Sequence, residues 1–204
     1  MALFDNMFNK KVDPAVASRI PPGQSLTERF PVLHYGPVPH TDLSKWDFKI
    51  FGQVEEPVRF TWEEFMKLPQ SEVVMDIHCV TRWSKLDTRW QGVLIKDLMK
   101  QIQLKPSAQF VLAHAEYGFT ANVPLDVFMD DQSILAHSFD DKPLEKDHGW
   151  PLRLVIPHKY FWKSAKWIRG IEFLTQDKLG FWERNGYNNH ADPWKEERYS
   201  DDTW

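Results

Sequence analysis

The stretch Val73–Leu98, VVMDIHCVTRWSKLDTRWQGVLIKDL, carries the only cysteine of the 204-residue chain, Cys79. The apolar run from Val73 to Ile77 reads as a strand whose end presents His78 and Cys79. The polar residues that follow, Thr81, Arg82, Trp83, Ser84, Lys85, Asp87 and Arg89, read as a loop, and loops at strand ends are where chemistry concentrates. Cations such as Arg82, Lys85 and Arg89 lower the pKa of a neighbouring thiol, and the thiolate is the form that attacks electrophiles or binds soft metals. A lone cysteine is also commonly a small buried hydrophobe. The stretch by itself leaves both readings open.

Working outward, Trp46, Phe48 and Ile50 alternate with Asp47 and Lys49, the period of a half-buried strand that Gly52 ends. Thr61-Trp62-Glu63-Glu64 fits a capping box, predicting a helix from Trp62 to Leu68 that Pro69 stops. Beyond Gly92, the spacing of Val93, Leu94, Leu98 and Met99 predicts a short helix to about Gln101. Strands are expected at Phe110–Ala115, Phe119–Val123, Ile134–Phe139, Pro151–Pro157 and Trp167–Thr175, with a short helix at Leu125–Asp130. Strands outnumber helices, the helices are brief, and there is no GxGxxG. The pattern predicts an α+β fold with mixed sheets rather than a doubly wound one. Residues 1–26 read as an N-terminal arm, 27–175 as the domain and 176–204 as a tail packed on it.

Composition narrows the function. Twenty-five basic against 29 acidic side chains give a net charge of −4, no argument for nucleic acid or an anionic membrane. No run is long and apolar enough to insert in a membrane, and the N-terminus lacks a basic-then-apolar leader, so a cytoplasmic protein is expected. One cysteine forbids an internal disulfide, and there is no CxxC, haem-attachment or iron–sulfur spacing. Redox chemistry would therefore require a cofactor held mainly by other side chains.

A second stretch, Asp147–Ile171 (DHGWPLRLVIPHKYFWKSAKWIRGI), gathers Arg153, Lys159, Lys163, Ser164, Lys166 and Arg169. Guanidinium can clamp two phosphate oxygens while lysine acts as a point charge. A solvated basic face is the commoner meaning of such a run.

The two stretches together resemble the sulfite-oxidase-like molybdopterin domains. The first signature is an apolar strand, then Cys79-Val80-Thr81-Arg82-Trp83-Ser84, then Trp90-Gln91-Gly92-Val93; the second is His148-Gly149-Trp150-Pro151-Leu152-Arg153 followed by Lys163-Ser164-Ala165-Lys166-Trp167. The resemblance implies a mixed α+β fold with a deep cleft, one molybdenum bound by Cys79 and one pterin dithiolene, and pterin contacts at His148, Arg153, Ser164, Ala165 and Lys166. A weaker match, Phe30–Tyr35 followed by Gly36-Pro37-Val38-Pro39 and Trp46, implies His34 and Tyr35 as cofactor neighbours, and a mid-chain strand implies a contact at Ala113 or His114. The family's catalytic tyrosine has no assigned counterpart.

The implied activity is oxygen-atom transfer on a small sulfite-, sulfoxide- or N-oxide-like substrate. Arg82 is expected to hold the substrate oxygen, or else to pair with Asp76 or Asp87, and a separate electron-transfer protein is the expected partner. Two other readings remain: a non-catalytic module binding an anion or peptide, and a thiol enzyme with Cys79 as nucleophile and His78 or His114 as base. Neighbours on a strand point to opposite faces, which makes His78 a poor base for Cys79.

Overall fold

The computed structural model describes residues 14–200. Its strands are β1 (Ser25–Leu26), β2 (Asp47–Gly52), β3 (Val58–Thr61), β4 (Ser71–His78), β5 (Trp83–Leu94), β6 (Phe110–Ala115), β7 (Thr120–Pro124), β8 (Ile134–Phe139), β9 (Lys142–Pro143), β10 (Arg153–Val155) and β11 (Ile168–Leu174). They form two sheets joined by short helices, an α+β architecture.

One sheet runs β3-β2-β11-β6-β7, with β2 and β11 parallel and every other pair antiparallel. Phe48, Ile50, Val111, Ala113, Val123, Ile171 and Phe173 are buried on its strands and join the larger apolar core. The helix Trp62–Met66 adds Phe65 to that core, and its N-terminus closes as a capping box: Thr61 N–H donates to Glu64 Oε2 at 2.8 Å, while Thr61 Oγ1 accepts from Glu64 N–H at 3.3 Å. The helix stops at Met66, short of the expected Leu68.

The other sheet is built on β5. Ser84 pairs with both Leu26 and His78, and Trp90 with both Val73 and Phe139, so one edge of β5 takes β4 along its length while the opposite edge takes β1 and then β8. Strand β10 follows on the far side of β8. A second apolar cluster, including Met75, Ile77, Trp90, Ile134 and Phe161, covers this sheet. Gly92 is required where β5 meets β8, because a Cβ there would lie 2.0 Å from the Leu135 carbonyl oxygen.

The reading of Thr81–Arg89 as a loop is corrected: all but its first residues lie in β5. Polar residues occupy the buried positions there. The Thr88 hydroxyl donates to the Met75 carbonyl and accepts from Trp90 Nε1–H at 2.9 Å, so Thr88 is fully buried yet satisfied. Asp76 and Asp87, considered as partners for Arg82, are instead bridged by Arg19, at 2.6 and 2.5 Å. Among the described residues no helix is long and apolar enough to cross a membrane.

Candidate active site

The four residues between β4 and β5 form a tight turn. Cys79 N–H donates to the Trp83 carbonyl at 2.9 Å and Arg82 N–H to the Cys79 carbonyl at 3.0 Å, while Arg82 takes a left-handed backbone (φ 71°). The turn is fastened from outside as well: Gln24 Nε2 donates to the Cys79 carbonyl at 2.9 Å, and the buried Arg198 donates to the Val80 carbonyl at 2.8 Å. Cys79 thereby faces a cleft of about 670 Å³, within the range of small-ligand sites.

The thiol is 8% exposed, and its Sγ lies 3.1 Å from Thr81 Oγ1. Burial pushes its pKa up, against the opposing pull of Thr81 and the positive charges of Arg198 and Lys166. The cations expected to activate it do not: Lys85 donates to the Glu28 carbonyl, and Arg89 pairs with Asp141 and Glu72. A protonated buried thiol is a poor free nucleophile, whereas a metal ion deprotonates a coordinating thiol outright. His78 cannot serve as its base. It turns the other way, with Nδ1 2.8 Å from Ser84 Oγ, and burial lowers its pKa to about 4.

A further part of the cleft lining comes from the second stretch. Arg153 is fully buried, donates to the His148 and Ser164 carbonyls at 2.9 and 3.0 Å, and stands 4.4 Å from the Phe161 ring centre. Its Nε has no partner, it forms no ion pair among the described residues, and burial lowers its pKa to about 9. Among the described residues Lys166 likewise lacks a carboxylate within ion-pair distance; its Nζ donates to the Asp147 carbonyl at 2.6 Å, and burial, aided by Arg153, lowers its pKa to about 7. Ser164 and Ala165 line the same wall, the Ser164 hydroxyl accepting from Ile156 N–H at 3.0 Å.

The remaining predicted residues are spread more widely. His34 and Tyr35 line the cleft, His34 with Nδ1 2.9 Å from the Gly36 carbonyl oxygen. His148 lies behind the wall, its ring stacked at 4.0 Å on Phe30 and its buried Nδ1 without a partner. His114 is not a lining residue: its Nε2 is 2.8 Å from Glu172, and its ring tilts against Phe51. Arg82 is not a lining residue either; its guanidinium is 63% exposed and 3.9 Å from Glu196. The sequence reading expects the tail to pack on the domain but names none of its residues at the cleft. Phe181, Trp182 and Tyr187 form part of the cleft wall, held by the buried ion pair Lys163–Glu183 at 2.6 Å. Their aromatic content was visible, but no periodicity announces where an irregular segment packs.

This donor set, two cations without carboxylates and a buried thiol on one cleft, fits a cofactor joining a sulfur-seeking metal to an anionic end. A sequence-family model described as oxidoreductase molybdopterin binding domain matches residues 35–182. The chain belongs to that family, the sulfite-oxidase-like oxidoreductases, and is a molybdopterin-dependent enzyme that binds Mo-molybdopterin. It is 46% identical over 198 residues to "Uncharacterized oxidoreductase YuiH" of Bacillus subtilis (strain 168), covering 97% of this chain and 98% of that one. It is also 28% identical over 159 residues to the protein-methionine-sulfoxide reductase catalytic subunit MsrP of Campylobacter jejuni, covering 70% of this chain but only 53% of that protein. The sulfane dehydrogenase SoxCD from Paracoccus pantotrophus superimposes with a TM-score of 0.65 at 18% identity, over 91% of this chain and 57% of that one. The last likeness is one of fold.

Proposed function

We propose that this oxidoreductase transfers an oxygen atom to or from a small sulfoxide-like substrate, with Cys79 as the protein's ligand to molybdenum. The observation that carries the assignment is the thiol itself: buried, bonded among the described residues only to Thr81 and opening on a cleft that Arg153 and Lys166 also line. Its likeness to methionine-sulfoxide reductase subunits supports a sulfoxide. When bound, the molybdenum centre supplies two-electron oxygen-atom exchange.

The chain's own residues then have separable tasks. Cys79 anchors the metal, and Gln24 and Arg198 keep its turn from shifting. Arg153, Lys166 and Ser164 hold the anionic end of the pterin, since charge-assisted contacts in a desolvated pocket are strong and directional. Reduction of a sulfoxide to a sulfide and water consumes two electrons and two protons. The electrons come, singly or in pairs, from a separate electron-transfer protein, because the sequence carries no haem-attachment or cluster motif.

The test is Cys79→Ser in a host that makes the cofactor. Sulfoxide reduction by reduced viologen should fall at least about a hundredfold while the circular dichroism spectrum stays that of the parent. Turnover at the parental rate would remove Cys79 from the metal. Of the competing readings, the thiol-enzyme one also predicts rapid alkylation of Cys79 by iodoacetamide in the metal-loaded protein; the metal-ligand reading predicts protection.

A further inference from the structure

One side of the cleft is aromatic and draws on opposite ends of the chain. Tyr35 stands 4.6 Å from Phe181, Phe181 is 5.1 Å from Trp182, and Trp182 is 4.8 Å from Tyr187, all between ring centres. Tyr35 is 63% exposed, and the other three rings are partly exposed rather than buried. The family match begins at Tyr35 and stops at Trp182, so this wall lies at its limits and, with Tyr187, beyond them. It nevertheless belongs to the cavity on which the thiol opens, since Cys79 and Tyr187 both line it.

The charges on the cleft are paired with other side chains or stand on the wall assigned to the cofactor. Glu116 pairs with Arg169 at 2.8 Å, and Arg153 and Lys166 point into backbone carbonyls on the wall assigned to the cofactor. Arg82, the cation that would suit an oxyanion, faces Glu196 outside the cleft. A substrate approaching along the aromatic side therefore meets ring faces and edges rather than ammonium or guanidinium groups.

We propose that Tyr35, Phe181, Trp182 and Tyr187 form a subsite for a flat, uncharged group on the substrate, making an aryl sulfoxide, rather than sulfite or a small alkyl sulfoxide, the preferred class. Aromatic pairs favour offset or edge-on contact at these ring separations and add to the apolar area that is buried. This rests on the oxygen-transfer reading above, but it makes a claim about binding that is separable from turnover.

The experiment uses the holoenzyme with no electron donor present, so that binding proceeds without reaction. Methyl phenyl sulfoxide and dimethyl sulfoxide are titrated by calorimetry and by quenching of tryptophan fluorescence. The aryl compound should bind at least about tenfold more tightly, the effect of one good aromatic contact. Trp182→Ala and the exposed-site variant Tyr35→Ala should each remove most of that difference, and Trp182→Phe should restore most of it. Equal affinities for the two sulfoxides in the parent, or an aryl preference untouched by both alanine variants, would overturn the subsite. If Trp182→Ala fails to fold, Tyr35→Ala and Trp182→Phe decide the matter alone. Reduced viologen is then added: turnover of both sulfoxides without aryl preference would sink the subsite and keep oxygen transfer, whereas selective aryl binding without any sulfoxide turnover would do the reverse.

Discussion

Two cations ten residues apart, Arg153 and Lys163, are both about 1% exposed, yet the protein treats them oppositely. Lys163 has a carboxylate and an amide oxygen as partners, Glu183 at 2.6 Å and the Asn122 side-chain oxygen at 3.1 Å, and Glu183 also accepts from Trp162 Nε1–H at 2.8 Å. Arg153 has two carbonyls and aromatic faces but, among the described residues, no carboxylate, and Lys166 beside it has one carbonyl, an aromatic ring and likewise no carboxylate at ion-pair distance. Burying charge without a counter-charge is costly, so proteins seldom do it without reason. The paired site clamps the tail, and the unpaired one leaves positive charge on the cleft that no carboxylate among the described residues balances. The same local sequence, rich in Lys and Arg, thus encodes one paired and one unpaired cationic site.

The largest effect expected from this contrast is at the paired site. Glu183→Ala should destabilise the protein by about 3 kcal/mol or more, because it strands Lys163 in a dry environment. Chemical denaturation would measure it. The double variant Lys163→Met/Glu183→Leu should recover most of the loss, since removing both partners leaves no orphaned charge. A double variant as unstable as the single one would mean that the pair matters for its shape rather than its charge.

At the unpaired site the sign should reverse. Arg153→Met should leave the cofactor-free protein as stable as the parent or more so, while pterin retained through gel filtration, read as the fluorescence of its oxidised form, falls about tenfold or more. Lost stability with full pterin retention would break the distinction between the two cations.

Lys166 offers a pH version of the same test. Its folded pKa, about 7, lies below the ordinary 10.5, so the unfolded chain binds more protons between those values. The stability of cofactor-free protein should therefore rise with pH from about 7 toward 10.5, at up to about 1.4 kcal/mol per pH unit from this group. Below pH 7 the cost of the buried charge is fully present. Thermal unfolding across this window should show the slope in the parent and a shallower one in Lys166→Met; retention of the anionic pterin should run the other way, strongest where Lys166 is charged.

Much of this was legible in sequence, for identifiable reasons. Strands with apolar residues at every second position, such as β2, or with a nearly continuous apolar run, such as β6, announce themselves because burial selects their side chains directly. Strand β5 did not, because its buried positions include Ser84 and Thr88, whose hydroxyls are satisfied by His78 and Met75 across the sheet. No one-dimensional pattern reveals a partner supplied by another strand. The short β1 and the aromatic tail were hidden for a related reason: both are fixed by contacts distant in sequence, Ser25 against Trp83 and Arg198 against Val80. At the cleft, Cys79, Arg153, Ser164, Ala165 and Lys166 were reachable through motif order, while side-chain direction at His114 and Arg82 was not.

The smallest expected effect distinguishes Arg82 from Arg198, two arginines that reach the same carboxylate. Arg82 lies 3.9 Å from Glu196 and is 63% exposed, whereas Arg198 lies 3.4 Å from Glu196, is buried and donates to the Val80 carbonyl. An exposed pair at that distance contributes under about 1 kcal/mol, because solvent screens it and two long side chains must be held in place. Arg82→Ala should then change stability by about 0.5 kcal/mol or less and leave the KM for sulfoxide within about twofold of the parent. Were the KM to rise tenfold, Arg82 would have to swing from Glu196 into the cleft during turnover, and the substrate-holding role that its place in the Cys79 turn suggests would be restored.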